Sequence, residues 1–358
     1  MVNQVNQYLW RSKLNEMNPR IEDWKKLYNV LVEIKDIAPW DWLDEHDLFA
    51  VQNPKTKEIG FVSVMGTIGE HYAISVYLGE QGFYRFWDFQ HSEPDMFSYQ
   101  KLLEIPQIQA SFEDHDILDS RDLDIIKKLS LTFKGKQSWP MFRSYKPGLV
   151  PWFLDLSETQ FLQCALEQTK DVCLRAKNDH SLLRPGDDET FLLRKMVKKG
   201  KKISWYDSSL KVMPRAPYQI EISINEFAIK KLRNIVPRKM PIELDVFMSP
   251  APVKEKGMRP YYPYVLMLIN PSNGVIVGHQ LLKPLPSMES MWGKISFHVA
   301  EFMVRRQLLP EKILVNSDLL FQLLSPLGDD VGFSVEIVKN LPNITQARVS
   351  YMEFIERK

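Results

Sequence analysis

An Asn-Gly pair between two apolar runs is the feature that most restricts what this chain can fold into. YPYVLMLIN (262–270) and GVIVGHQLLK (274–283) flank Pro271-Ser272-Asn273-Gly274. Asn-Gly supplies the positive backbone angles of a tight hairpin, so the two runs read as an antiparallel pair. IELDVFMSP (242–250) precedes them as another short apolar strand. A helix follows, because Met288, Met291, Trp292, Ile295, Val299 and Phe302 recur at three- and four-residue spacing and give one apolar stripe. Ser287 is its expected N-cap, and Glu289 in its first turn complements the helix dipole. KILVN (312–316) is the next strand, DLLFQLLSPL (318–327) a helix capped by Ser317 or Asp318, FSVEIV (333–338) a strand, and NITQARVSYMEFIERK (343–358) a last amphipathic helix. The order βββαβαβα predicts a mixed five-stranded sheet with one antiparallel strand and helices on its faces.

The chain ahead of this stretch reads as a separate α+β domain. Leu27, Val30, Leu31 and Ile34 form a helical stripe within residues 1–38, and Pro39 stops it. PWDWLDEHD (39–47) sets two tryptophans among acids. It reads either as a helix-to-sheet junction or as a place where aromatic rings receive a cation. LFAVQNP (48–54), IGFVSVMG (59–66) and AISVYLG (73–79) form an antiparallel meander. Glu70 and His71 in the loop GTIGEHY (66–72) are an acid–base candidate, although neighbours on an extended chain point to opposite faces. The acidic stretch 111–126 reads as a solvated surface segment, and the loop-rich 131–153 as a hinge or a basic and aromatic strip for single-stranded nucleic acid. Residues 156–177 are a clear helix, and 188–213 are two strands meeting near Gly200. Arg194, Lys195, Lys198, Lys199, Lys201 and Lys202 crowd that turn and are the candidate contacts to a phosphate backbone. A strand at 219–224 and a helix at 225–236 lead into the C-terminal stretch. The expected domains are therefore 1–150, a connecting region 151–216, and 217–358.

Composition narrows the partners. With 44% hydrophobic and 25% charged residues, the chain can bury a sizeable core. A formal net charge of +1 gives no overall basic field, so nucleic-acid binding would rest on the local patch. Two cysteines, Cys164 and Cys173, make no disulfide framework, and they stand nine residues apart on opposite faces of the predicted helix. A reducing cytoplasm is the expected setting. No apolar run reaches the length of a membrane span, and the N-terminus lacks the apolar core of a signal peptide.

The last third of the chain resembles the ribonuclease H superfamily, which includes retroviral-type integrases and transposases. The resemblance is carried by Asp245 in the first strand, the hairpin LINPSNGVIVG (268–278) and VNSD (315–318) after the fourth strand. It implies a site in which carboxylates hold Mg²⁺ or Mn²⁺ for phosphodiester cleavage, with Asp245, Glu289 and Asp318 as catalytic candidates and Asp245 and Asp318 as metal ligands. It also implies a last acid from the final helix. Glu353 is expected to miss that role, because it lies opposite the stripe Ile344, Ala347, Tyr351, Ile355 and faces water. Asn340 or Asn343 stands where the acid is due. The whole chain also resembles an uncharacterised bacterial two-domain family through MGTIGEHYAISVYLGEQG (65–82) and FRSYKPGLVPW (142–152), which implies no activity.

Two functions follow. In one, the chain is a non-catalytic cytoplasmic binding or regulatory protein. Its ribonuclease H-like scaffold has lost its site, and its meander binds a protein or small ligand. In the other, it is a metal-dependent nuclease or phosphodiesterase whose basic turn holds nucleic acid.

Overall fold

The computed structural model describes residues 18–93, 96–187, 189–200, 202–215 and 219–357. The chain divides into two units. The first runs to Lys146 and resumes over Pro151–Arg215, and the second holds Pro147–Val150 and the chain after Arg215. The start of the helix expected within residues 1–38 lies outside the described residues. Its described part, α1 (Ile21–Ile37), buries Leu27, Val30, Leu31 and Ile34, and ends at Ala38 in the left-handed conformation just before Pro39.

The meander forms as expected from β1 (Phe49–Gln52), β2 (Ile59–Met65) and β3 (Tyr72–Leu78), paired antiparallel. After α2 (Gly79–Gln90) and α3 (Ser98–Leu103), the sheet grows on one side by β4 (Gln107–Glu113), then α4 (Ser120–Lys128) and β5 (Trp139–Tyr145). On the other side, α5 (Leu156–Ala176) leads to β6 (Thr190–Lys199), which pairs in parallel with β1, and β7 (Lys202–Lys211) closes a seven-stranded sheet in the order β5-β4-β3-β2-β1-β6-β7. The helix and hairpin of 151–216, expected as a connecting region, are thus built into the first unit. The reason is packing: α5 buries Phe161, Leu162, Ala165, Leu166 and Val172 in the same core as Leu27 and Leu31 of α1.

Both faces of the meander are covered. Val51, Val62, Val64, Ile74 and Val76 face the core shared with α1 and α5, while Ala50, Phe61 and Tyr77 pack with Phe83 and Phe86 of α2. The strands of the meander therefore present no free face to a ligand. The acidic stretch 111–126 is solvated only in part, with Asp116, Asp119 and Asp124 exposed. It forms the end of β4 and the helix α4, where Asp122 is buried and accepts two hydrogen bonds from the Arg143 guanidinium at 2.9 and 2.5 Å.

The second unit opens with α6 (Glu226–Leu232). The strand expected at 219–224 is instead irregular backbone, held where Ser223 N–H donates to the Gly293 carbonyl at 2.8 Å. Five strands follow: β8 (Arg238–Met248), β9 (Tyr264–Asn270), β10 (Val275–Leu282), β11 (Pro310–Val315) and β12 (Ser334–Ile337). Their order is β10-β9-β8-β11-β12. β9 is antiparallel to both neighbours, and β8, β11 and β12 are parallel, which is the mixed sheet that the βββαβαβα order predicts. The hairpin turns at Gly274, whose positive φ of 68° suits glycine.

The long helix expected from Met288 is two helices, α7 (Met288–Trp292) and α8 (Ile295–Arg306), with Ser287 as the expected N-cap of the first. The break falls at Gly293, where the Glu221 carbonyl approaches too closely for any side chain. α9 (Asp318–Val331) joins β11 to β12, and α10 (Pro342–Glu356) ends the described chain.

Residues directly paired across two antiparallel strands share a face. Glu243, Asp245 and Phe247 of β8 thus share one with Ile269, Met267 and Val265 of β9. α10 lies along that face. Glu243 is buried and accepts hydrogen bonds from Ile344 N–H and Asn343 Nδ2, both at 2.9 Å. Farther along, the Tyr351 ring meets Phe247 and its hydroxyl stands 3.0 Å from that of Ser249. The helix therefore tracks β8 from Glu243 to Ser249, seated by a carboxylate at its N-terminus, where a negative charge is favoured.

Two substitutions test these contacts. A Cβ at Gly82 would lie 2.8 Å from both the Pro106 oxygen and the Tyr77 carbonyl carbon. Gly82→Ala is expected to lower unfolding stability by about 2 kcal/mol in urea melts, the usual cost of overpacking against backbone. Glu243→Ala strands the Asn343 and Ile344 donors and is expected to cost about 2–3 kcal/mol, with Glu243→Gln costing less because one acceptor oxygen remains.

Candidate functional site

Asp245 lies on β8, and Asp318 opens the helix that follows β11, the parallel neighbour of β8. Their surroundings differ. Asp245 is directed into the face that α10 covers. Its Oδ1 accepts the Val246 N–H at 2.8 Å, and the charge attracting it is Arg348 of α10. The Arg348 guanidinium sits 5.1 Å from the centre of the Phe247 ring. Desolvation pushes the Asp245 pKa up from its ordinary value, against the opposing pull of the Val246 N–H and of Arg348. Asp318 is exposed in the first turn of α9, and Ser317 is the cap, its Oγ accepting Leu320 N–H at 3.4 Å.

Glu289 is on the other side of the sheet. Tyr264 pairs with Met248, one residue beyond Phe247, and so points away from the Asp245 face. Its ring meets Trp292 of α7, the helix that carries Glu289. The expected triad is therefore divided between two faces. Among the described residues no three His, Cys, Asp or Glu side chains form a group that could hold a metal ion. The residues present do not fit Mg²⁺ or Mn²⁺. A hard cation wants ionised oxygen ligands, whereas burial disfavours the charged form of Asp245 and a guanidinium already attends it. Glu353 is exposed, as expected, and pairs with Arg357 at 3.6 Å. Asn343 is committed to Glu243.

Arg348 is the residue that sequence reasoning passed over. The signal was present: 348 is four residues after Ile344 and three before Tyr351, both of which turn toward the sheet.

The basic turn is smaller than expected. Arg194 is buried against α5, donates to Gln168 at 3.1 Å, and pairs with Asp207 of β7 and with Asp171 at 3.1 Å. It belongs to a structural network that also joins Arg175 to both acids. Its burial follows from strand alternation beside β1, which places residue 194 on the helix-covered face. Lys195 is half-buried, Lys198 is exposed, Lys199 and Lys202 end their strands opposite each other, and Lys201 lies outside the described residues. In the segment 131–153, Arg143 is held by Asp122, Lys146 pairs with Glu158 at 2.8 Å, and Phe153 lies beneath the Arg121 and Arg143 guanidinium groups.

The tryptophan turn is also occupied internally. Trp40 is buried, Trp42 donates its indole N–H to the Cys173 carbonyl at 3.1 Å, and the cation over the Trp42 ring is Lys177. The tryptophan turn is thus the helix-to-sheet junction. Glu70 and His71 are exposed, and His71 approaches Glu113 at 3.9 Å. Cys164 and Cys173 are free thiols whose pKa values burial pushes up to about 12, which leaves little thiolate at neutral pH.

The second unit also holds a cavity of about 250 Å³, lined by Ile222, Ile224, Ile229, Pro326 and Leu327 with Ser223, Asn225, Ser296 and Asp330 among them. Three of these polar side chains already have partners: Asn225 caps α6, Ser296 donates to the Leu323 carbonyl, and Asp330 pairs with Arg233. The wall therefore offers apolar contact.

Among the described residues no helix is long and apolar enough to cross a membrane. Residues 24–194 match a family model described as Domain of unknown function (DUF7309), and residues 228–352 match a second, Domain of unknown function (DUF6930). The first match runs through α5 into β6, and the second spans the five-stranded sheet and most of α10. No curated protein matches the chain.

Proposed function

We propose that this chain is a non-catalytic cytoplasmic binding or regulatory protein whose C-terminal unit is kin to the ribonuclease H superfamily. The observation that carries this reading is that α10, the helix over Asp245, brings the charge of Arg348 to that aspartate, while Asn343 is taken up by Glu243 and Glu353 faces water. A guanidinium on that helix offsets part of the aspartate's charge and repels a divalent cation. The strand order and the single antiparallel strand support the kinship. A fold of this kind retains no particular chemistry once its site is gone. The apolar cavity beside α6 is the concave surface that suits a small apolar group. The two free thiols accord with a reducing compartment.

Incubating the purified chain with single- and double-stranded DNA and RNA in Mg²⁺ or Mn²⁺ tests the reading. No divalent-dependent cleavage is expected. Cleavage that appears with Mn²⁺ and vanishes in Asp245→Asn would establish the nuclease alternative.

The same variant reports on the desolvated carboxyl. Because folding raises the Asp245 pKa, the folded chain holds the proton more tightly than the unfolded chain does. Stability owed to this group therefore falls as pH rises above the ordinary aspartate range, and levels off once the folded carboxyl has ionised. Thermal melts at a series of pH values are expected to show Asp245→Asn gaining on the wild type through that window. A constant difference would place the carboxyl in water.

A further inference from the structure

We propose that β10 pairs antiparallel with β10 of a second copy of this chain, joining two five-stranded sheets across a two-fold axis. β10 ends its sheet, with β9 on one side and no strand on the other among the described residues. An open strand edge is a template for pairing, and proteins blunt such edges with shortness, proline or charge.

The other sheet ends of this chain carry those devices. β12 has four residues and presents Glu336, which pairs with Lys312. β5 contains Pro140 and Arg143. β7 carries Asp207 and Lys211. β10 has none: Val275–Leu282 reads VIVGHQLL, eight residues without proline or a formal charge.

The strand is also apolar where it meets water. Val275, Ile276 and Leu281 are 53%, 44% and 58% exposed. Ile276 pairs with Ile269, and Leu281 with Val265, so both lie on the sheet face that α10 covers over β8 and β9 but leaves open at the edge.

The sequence of β10 fits its own reverse. The register slips between Ile276 and Gly278, so Val277 is an extra residue that leaves the alternation of its neighbours intact. A two-fold axis through His279 then sets Gly278 opposite Gln280 and Ile276 opposite Leu281 of the other copy. Both apolar pairs fall on one face. An uncharged strand meets its twin without repulsion, and such a closed two-fold contact is the commonest way for identical chains to assemble. The contact is independent of whether the carboxylate site is silent.

Sedimentation of the full chain over a wide range of concentration is expected to show twice the monomer mass. The double variant Ile276→Lys with Leu281→Lys is expected to sediment as a monomer with an unchanged circular dichroism spectrum, because both positions are exposed. His279→Cys is expected to form an intermolecular disulfide under mild oxidant. A wild-type chain that stays monomeric throughout overturns the proposal, even if an unrelated extended peptide binds the edge. So does a dimer that survives the folded double variant, or one in which Cys at 279 fails to cross-link.

Discussion

The contact between α10 and β8 is the constraint on which the C-terminal unit depends. One face of the central strand alternates Glu243, Asp245 and Phe247, two acids where a sheet would ordinarily bury apolar groups. Burying a carboxylate is costly unless something satisfies it. Each acid here is answered by the same helix: Glu243 by the backbone and Asn343 at its N-terminus, Asp245 by the charge of Arg348 one turn later. The helix thus compensates the strand, and the strand fixes where the helix begins. Apolar contacts of Leu341, Ile344 and Tyr351 with Phe247, Val265 and Met267 supply the rest of the attraction.

This arrangement bears directly on function. A carboxylate that serves a metal must stay ionised and open to a cation. Asp245 is directed at a guanidinium-bearing helix, and Glu289 stands on the far side of the sheet. A single antiparallel ladder thereby separates groups that look equivalent in the sequence. The same lesson applies in the N-terminal unit, where Arg194 reads as one of six cations near a turn but is the buried centre of a network with Asp171 and Asp207.

Local features were legible from the residues. The Asn-Gly hairpin, the meander, the cap at Ser287 and the stripes of α1 and α10 all depend on neighbours within a few positions, and all formed. What could not be read depends on groups distant in the chain. The helix from Met288 breaks at Gly293, whose carbonyl accepts the Ser223 N–H and whose missing side chain makes room for the Glu221 carbonyl, both dozens of residues earlier. Asp122 looked solvated until β5 brought Arg143 beside it. The candidate site failed for the same reason. The spacing of Asp245, Glu289 and Asp318 says which elements carry them, but not that Arg348 arrives from the last helix.

The parallel ladder between β1 and β6 has a consequence for how the chain is made. Ala50 meets Leu193, and Val51 meets Arg194, across well over a hundred intervening residues. Until the ribosome has delivered β6, the nascent N-terminal sheet ends in the bare flank of β1, a strand whose first three residues are wholly buried in the finished molecule. Contacts so remote along the chain close slowly. During synthesis this flank is therefore an open edge that other strands could pair with.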